Sequence, residues 1–236
     1  MEIEHLDHTV HSSLWNGVAT AFPSLTLLYI RMVTRTPMNP PCIRPSIQWF
    51  QPLSSLSNLR RFGLRTEHPT VISATLLKDL VSSWPQLTGL DVSFRGTNCQ
   101  SCKECDIHNV TGLQIGFLET LLDSCPNLKR LGATFQSRVP KLMTGPTDRF
   151  KQMQVVSAYC SAEIDPRSLA GYFSAQGLSK LEVGESHGQN QADDLWKSAS
   201  GFLQTLNVQR REHETQVKRL EDEISILRLQ LKRMTG

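Results

Sequence analysis

The sequence predicts an α/β fold: an irregular solenoid of short parallel strands with return helices, followed by a long C-terminal helix that carries a coiled-coil seam. Three observations predict it. A nine-residue frame recurs as LSNLRRFGL (56–64), WPQLTGLDV (84–92) and CPNLKRLGA (125–133). Two helical patterns, VISATLLKDLVSS (71–83) and LQIGFLETLLDS (113–124), run directly into the second and third of these copies. From residue 203 onward, apolar residues return at alternating steps of three and four.

The frame reads anchor, two residues, Leu, two residues, apolar, one residue, apolar. It also fits FPSLTLLYI (22–30) and, more loosely, FKQMQVVSA (150–158) and AQGLSKLEV (175–183). The anchors Phe22, Leu56, Trp84, Cys125, Phe150 and Ala175 lie 25 to 41 residues apart. That matches leucine-rich repeats of roughly 20–29 residues with insertions, in which the L-x-x-L-x-L core is a short strand. Alternate side chains of each strand enter a shared interior. In the returns, Ile72, Leu76, Leu77, Leu80 and Val81, and then Phe117, Leu118, Leu121 and Leu122, keep helical spacing. A proline after the anchor stops each of these helices. The solenoid is expected to span residues 1–192 and the helical tail 193–236.

The CPNLKRL and WPQLTGL units resemble the leucine-rich repeats of F-box-type proteins, particularly the irregular ones abundant in fungi. The resemblance covers roughly residues 6 to 190. It implies a role in substrate recognition for a ubiquitin ligase, since members that carry the box dock on an adaptor of the ligase. The asparagine that commonly follows the repeat strand is missing here. Only 21 residues precede Phe22, fewer than the helical F-box module takes, so the chain is expected to lack the docking half.

Composition narrows the function classes. Hydrophobic residues make up 39% and charged residues 20% of the chain, as in a globular protein. A net charge of +3 is too weak for nucleic acid without a concentrated basic face. The charge is uneven, however: Arg31, Arg35, Arg44, Arg60, Arg61 and Arg65 fall between positions 31 and 66 with no acid among them. The apolar runs are short of a membrane span, and MEIEHLDHTV lacks the apolar core of a signal peptide. A cytoplasmic or nuclear address with reduced thiols is expected.

Three sites are candidates. The residues between the buried positions of each frame line up on the concave face. Tyr29, Arg31, Arg61, Arg65, Asp91, Arg130 and Tyr159 fall there. Arginine and tyrosine are enriched in interface hot spots, and the arginines suit an acidic or phosphorylated protein partner. The second candidate is TNCQSCKECDIHN (97–109), with Cys99, Cys102, Cys105 and His108 at two-residue gaps. Zinc takes four Cys or His ligands, so a zinc site or a thiol redox sensor is one alternative function. The stretch lies in the longest gap between anchors, which makes it an insertion on one face of the solenoid. The third, Gly184-Glu185-Ser186-His187-Gly188, matches the G-x-S-x-G pattern of esterases. His213 is its only downstream histidine, and a loop closing the last repeat explains it better. The leading expectation is protein binding without catalysis.

In the tail, Val217, Ile224 and Leu231 occupy a positions and Leu220, Leu227 and Met234 occupy d positions. β-Branched a residues with Leu at d favour a parallel two-stranded coil, with Glu223 facing Arg228 of the second copy. Arg210 and His213 interrupt the seam on its N-terminal side, and Ile226 and Leu229 lie off it. A homodimer, pairing with another helix, a helix folded back on its own solenoid and a surplus helix fraying in solution are all compatible with this pattern.

Overall fold

The fold was obtained as a computed structural model, and the structure describes residues 2–4, 12–32, 47–66, 74–94, 113–136, 149–159, 165–183 and 190–235. It is a mixed α/β fold with an open parallel sheet and one long C-terminal helix. The strands are β1 (Glu2–Glu4), β2 (Leu27–Met32), β3 (Arg61–Thr66), β4 (Gly89–Phe94), β5 (Leu113–Gln114), β6 (Arg130–Gln136), β7 (Val155–Tyr159) and β8 (Leu181–Val183). The helices are α1 (Ser12–Ala21), α2 (Ala74–Ser82), α3 (Phe117–Ser124), α4 (Pro166–Ala175) and α5 (Asn190–Thr235), with a 3-10 helix at Ile47–Ser55 between β2 and β3.

Strand order follows chain order, β1 to β4 and then β6, β7 and β8, while β5 pairs with the far end of β6. Parallel neighbours cannot be joined by a tight turn, so each connection must travel the length of a strand. The register keeps the recurring frame in step. Leu28, Phe62, Leu90, Leu131, Val156 and Leu181 share one row across the sheet. Ile30, Leu64, Val92 and Ala133 share the next inward row, and all ten side chains are buried. The helices close the core with Leu77, Leu80 and Val81 of α2 and Leu118 and Leu121 of α3.

The strand entries repeat one hydrogen-bond pattern. The anchor carbonyl accepts from the amide three residues on at Phe22–Leu25, Leu56–Leu59, Trp84–Leu87, Cys125–Leu128 and Phe150–Met153. Two consecutive amides then reach back to one carbonyl of the preceding repeat. Arg60 and Arg61 donate to Thr26, Thr88 and Gly89 to Arg60, and Lys129 and Arg130 to Thr88. This ladder satisfies buried backbone groups without the asparagine missing from the frame.

The anchors also reach back a repeat. Trp84 Nε1 donates to the Leu53 carbonyl at 2.9 Å, and Cys125 Sγ lies 3.4 Å from the Val81 carbonyl. Leu56, Trp84, Cys125 and Phe150 are buried, whereas Phe22 is 49% exposed. Rings of Trp15, Phe50, Phe62 and Trp84 follow one another through the first half of the core, with centroids 5.0 to 6.2 Å apart.

The C-terminal end is built differently. Asp165 caps α4, accepting from the amides of Arg167 and Ser168, with Pro166 in the first turn. These bonds to the ionised form hold its carboxyl below the usual range, the Ser168 hydroxyl foremost. The helix ends in a Schellman motif, in which Leu178 N donates to Phe173 O and Gly177 N to Ser174 O. Gly177 sits at φ 79°, a left-handed conformation that suits glycine.

The first half of α5 then covers the last strand. Ala199 and Leu203 are buried and Leu206 is half-buried. Ser200 Oγ donates to Leu181 O at 2.7 Å, Asn207 Nδ2 to Leu178 O at 3.0 Å and Arg210 Nη1 to Ser174 O at 3.1 Å. A cleft of about 220 Å³ beside Gly177–Ser179 is lined by Lys151, Asn207, Arg210, Arg211 and Glu214. Arg210 and Asn207 are committed there to holding α5 in place. From Arg211 to Lys232 every residue of α5 is exposed.

Candidate partner-binding face

The face of the sheet opposite the helices carries the residues between the buried rows. Leu27, Arg61, Gly89, Arg130 and Val155 share one register row, and Tyr29, Gly63, Asp91, Gly132, Ser157 and Glu182 the next. Arg31, Arg65 and Ser93 form a third, with Glu4 of β1 in register with Arg31. Tyr29, Arg31, Arg61, Arg65, Asp91 and Arg130 fall on these rows. Tyr159 ends β7 in register with Thr134.

At its centre, Tyr29, Arg65 and Asp91 come together from three adjacent strands. Arg65 donates from Nε and Nη2 to Asp91 Oδ2 at 3.2 and 3.0 Å, and Tyr29 Oη donates to the same oxygen at 3.3 Å. The Arg65 guanidinium lies 5.1 Å from the Tyr29 ring centroid. Two glycines make this possible. A Cβ at Gly63 would come 2.3 Å from the Tyr29 ring, and one at Gly132 would come 2.7 Å from Asp91 Oδ1. Both side chains therefore lie flat across the neighbouring strand. Asp91 Oδ1 is buried with no hydrogen-bond partner among the described residues.

The cluster divides the arginines into two kinds. Arg65 is neutralised locally by Asp91 and is 34% exposed in its side chain. Arg31, Arg61 and Arg130 are exposed, and none of the three forms an ion pair among the described residues. Arg61 leans over Gly89, its Cγ 3.4 Å from where a Cβ would stand. Arg61 and Arg130 thus flank a position with no side chain, two strands apart, or about 10 Å. Lys180 pairs with Glu182 at the far end of the face.

Elsewhere, titratable groups serve the core. Burial pushes the Cys125 thiol up to about 11, so Cys125 behaves as a buried hydrophobe and not as a thiolate ligand. Tyr172 donates to Glu119 Oε1 at 3.0 Å, and Arg149 bridges Glu119 and Asp123. Burial, reinforced by the Glu119 charge, raises the Tyr172 phenol.

Cys99, Cys102, Cys105 and His108, between β4 and β5, lie outside the described residues, as do Gly184 to Gly188 with Ser186. Among the described residues no group of three or more His, Cys, Asp or Glu is placed to hold a metal, and no helix is long and apolar enough to cross a membrane.

A second surface is the distal half of α5. Val217 is 39%, Leu220 57%, Ile224 48%, Leu227 62% and Leu231 65% exposed, and Met234 occupies the next seam position. Ile226 and Leu229, off the seam, are exposed as well. These apolar side chains form an exposed row along the distal half of α5. No family model matches the chain, and no curated protein is similar to it.

Proposed function

We propose that the chain is an irregular leucine-rich-repeat solenoid that binds a protein partner without catalysis, its open sheet face taking an acidic or phosphorylated segment and its helical tail serving association. The observation that carries this reading is the exposed set Arg31, Arg61 and Arg130 on one face of the sheet, with Arg61 and Arg130 in one register row and the Arg61 side chain lying over Gly89 between them. A carboxylate or phosphate settling on this row meets guanidinium donors from both Arg61 and Arg130, the groups that bidentate anion recognition uses. The resemblance to F-box-type repeats extends the proposal to a ubiquitination substrate as the partner.

The test is an affinity pull-down with the full chain beside Arg61→Glu/Arg130→Glu, followed by titration of the recovered partner's acidic segment. Arg61 and Arg130 are the better targets than Arg65, whose loss would also dismantle the Tyr29 cluster. Binding should fall at least tenfold in the double variant and weaken with salt. Undiminished binding would remove the strip from the reading, and recovery of ligase subunits would support the family role.

A further inference from the structure

We infer that α5 pairs with α5 of a second copy in antiparallel orientation, which rests on the reading of the tail as an association helix. The stripe of α5 that docks on the body is Ala199, Leu203, Leu206 and Arg210, at steps of four, three and four. The same alternation continues through His213 into Val217, Leu220, Ile224, Leu227 and Leu231. Docking stripe and exposed seam follow one heptad, which drifts by about 20° per heptad on a straight helix and is held in line by the left-handed supercoil of a paired one. No proline interrupts α5, so in a supercoiled pair the seam leaves the body on the side the body itself occupies.

That placement decides the orientation. In a parallel pair, positions 199–210 of both helices stand level, each with its own body on the face turned toward the other helix. Two bodies cannot fit between helices about 8–10 Å apart. The β-branched a positions favour parallel pairing, but the bodies obstruct it. In an antiparallel pair centred between Ser225 and Ile226, every seam layer is filled. Val217 meets the partner's Met234, Leu220 the partner's Leu231 and Ile224 the partner's Leu227. The body-facing positions of each copy then come level with positions beyond the paired segment, and the bodies sit at opposite ends.

Charge agrees with this register. Antiparallel coils bring e positions opposite each other, which places Glu221 against the partner's Arg228, twice by symmetry. Glu221 and Arg228 form no ion pair among the described residues. Glu223, the acid that a parallel pair would use, is already held by Arg219 at 3.2 Å within its own helix.

The experiment is sedimentation equilibrium of the full chain and four variants, with circular dichroism as the folding control. The wild type should be a dimer at tens of micromolar, and Leu227→Glu a folded monomer. Glu221→Arg should weaken the dimer at least tenfold, while Glu223→Arg leaves it within about twofold. Mixing Glu221→Arg with Arg228→Glu should restore a heterodimer. A dimer weakened by Glu223→Arg and indifferent to Glu221→Arg overturns the orientation while leaving association intact. A monomeric wild type overturns the pairing altogether, with no bearing on peptide capture by Arg61 and Arg130.

Discussion

Gly63 and Gly132 hold no charge and face no partner, yet they set the chemistry of the open face. Their missing Cβ atoms let Tyr29 and Asp91 lie across the neighbouring strands and trap Arg65. Gly63→Ala should displace the Tyr29 ring, losing a cation–π contact of about 0.5–1 kcal/mol and a hydrogen bond of similar size. Urea unfolding should therefore show a loss of about 1–2 kcal/mol. Tyr172 provides a pH signature. Its folded pKa is raised above the unfolded value of about 10, so it contributes stability that is fully present below that value. The contribution is lost as pH climbs beyond it. Cys125, raised to about 11, acts in the same direction from about pH 9 upward. Tyr172→Phe should be less stable at pH 8 by about 2 kcal/mol, for the lost bond to Glu119. It should also lose less than wild type between pH 8 and 11, as urea midpoints would record. None of the Tyr29 cluster was legible in the sequence as a contact. Asp91 stands 26 residues from Arg65 and 62 from Tyr29, and only the register of β2, β3 and β4 joins them.

Elements were legible to the extent that their period was clean. The strand frame placed the inward rows and the outward strip in the register the sheet adopts, because a period of two leaves no freedom in which side chains share a face. α2 and α3 followed from spacing, but the helix expected over 113–124 starts only at Phe117, and Leu113–Gln114 pair with β6 as a strand. The helix at Ile47–Ser55 escaped because its buried residues Ile47, Phe50 and Leu53 recur every third position, the period of a 3-10 helix, with Pro52 inside. β1 escaped because three residues, two of them glutamates, carry no frame. α4 was not read from the sequence, although Asp165 and Pro166 stand at its start as cap and first-turn residue. α5 was legible as a helix, but the change of role along it was not, since both halves share one heptad. Its two halves should answer differently to the same change. Leu203→Ala should cost about 2–5 kcal/mol by opening a cavity against α4 and β8. Leu220→Ala should leave the dilute chain within about 0.5 kcal/mol of wild type, both read by urea unfolding.

For the whole molecule, the sheet has two unlike ends. At one, β1 is a three-residue strand; at the other, α5 covers β8, with Ser200 on the Leu181 carbonyl, Asn207 on that of Leu178 and Arg210 on that of Ser174. A chain ending after Glu212 should keep the melting temperature of the dilute full-length protein. One ending after Gln191 should melt well below it, as scanning calorimetry would show, because the last strand loses its cover. The back-reaching anchors add a further asymmetry. Trp84 and Cys125 each hold a carbonyl in the segment behind them, so these two central units are each fastened backward by their own first residue. Under mechanical load the molecule is a chain of latches with one locked end. Tension across its termini should release β1 and α1 at the lowest force and proceed latch by latch, leaving the α4–α5 corner until last.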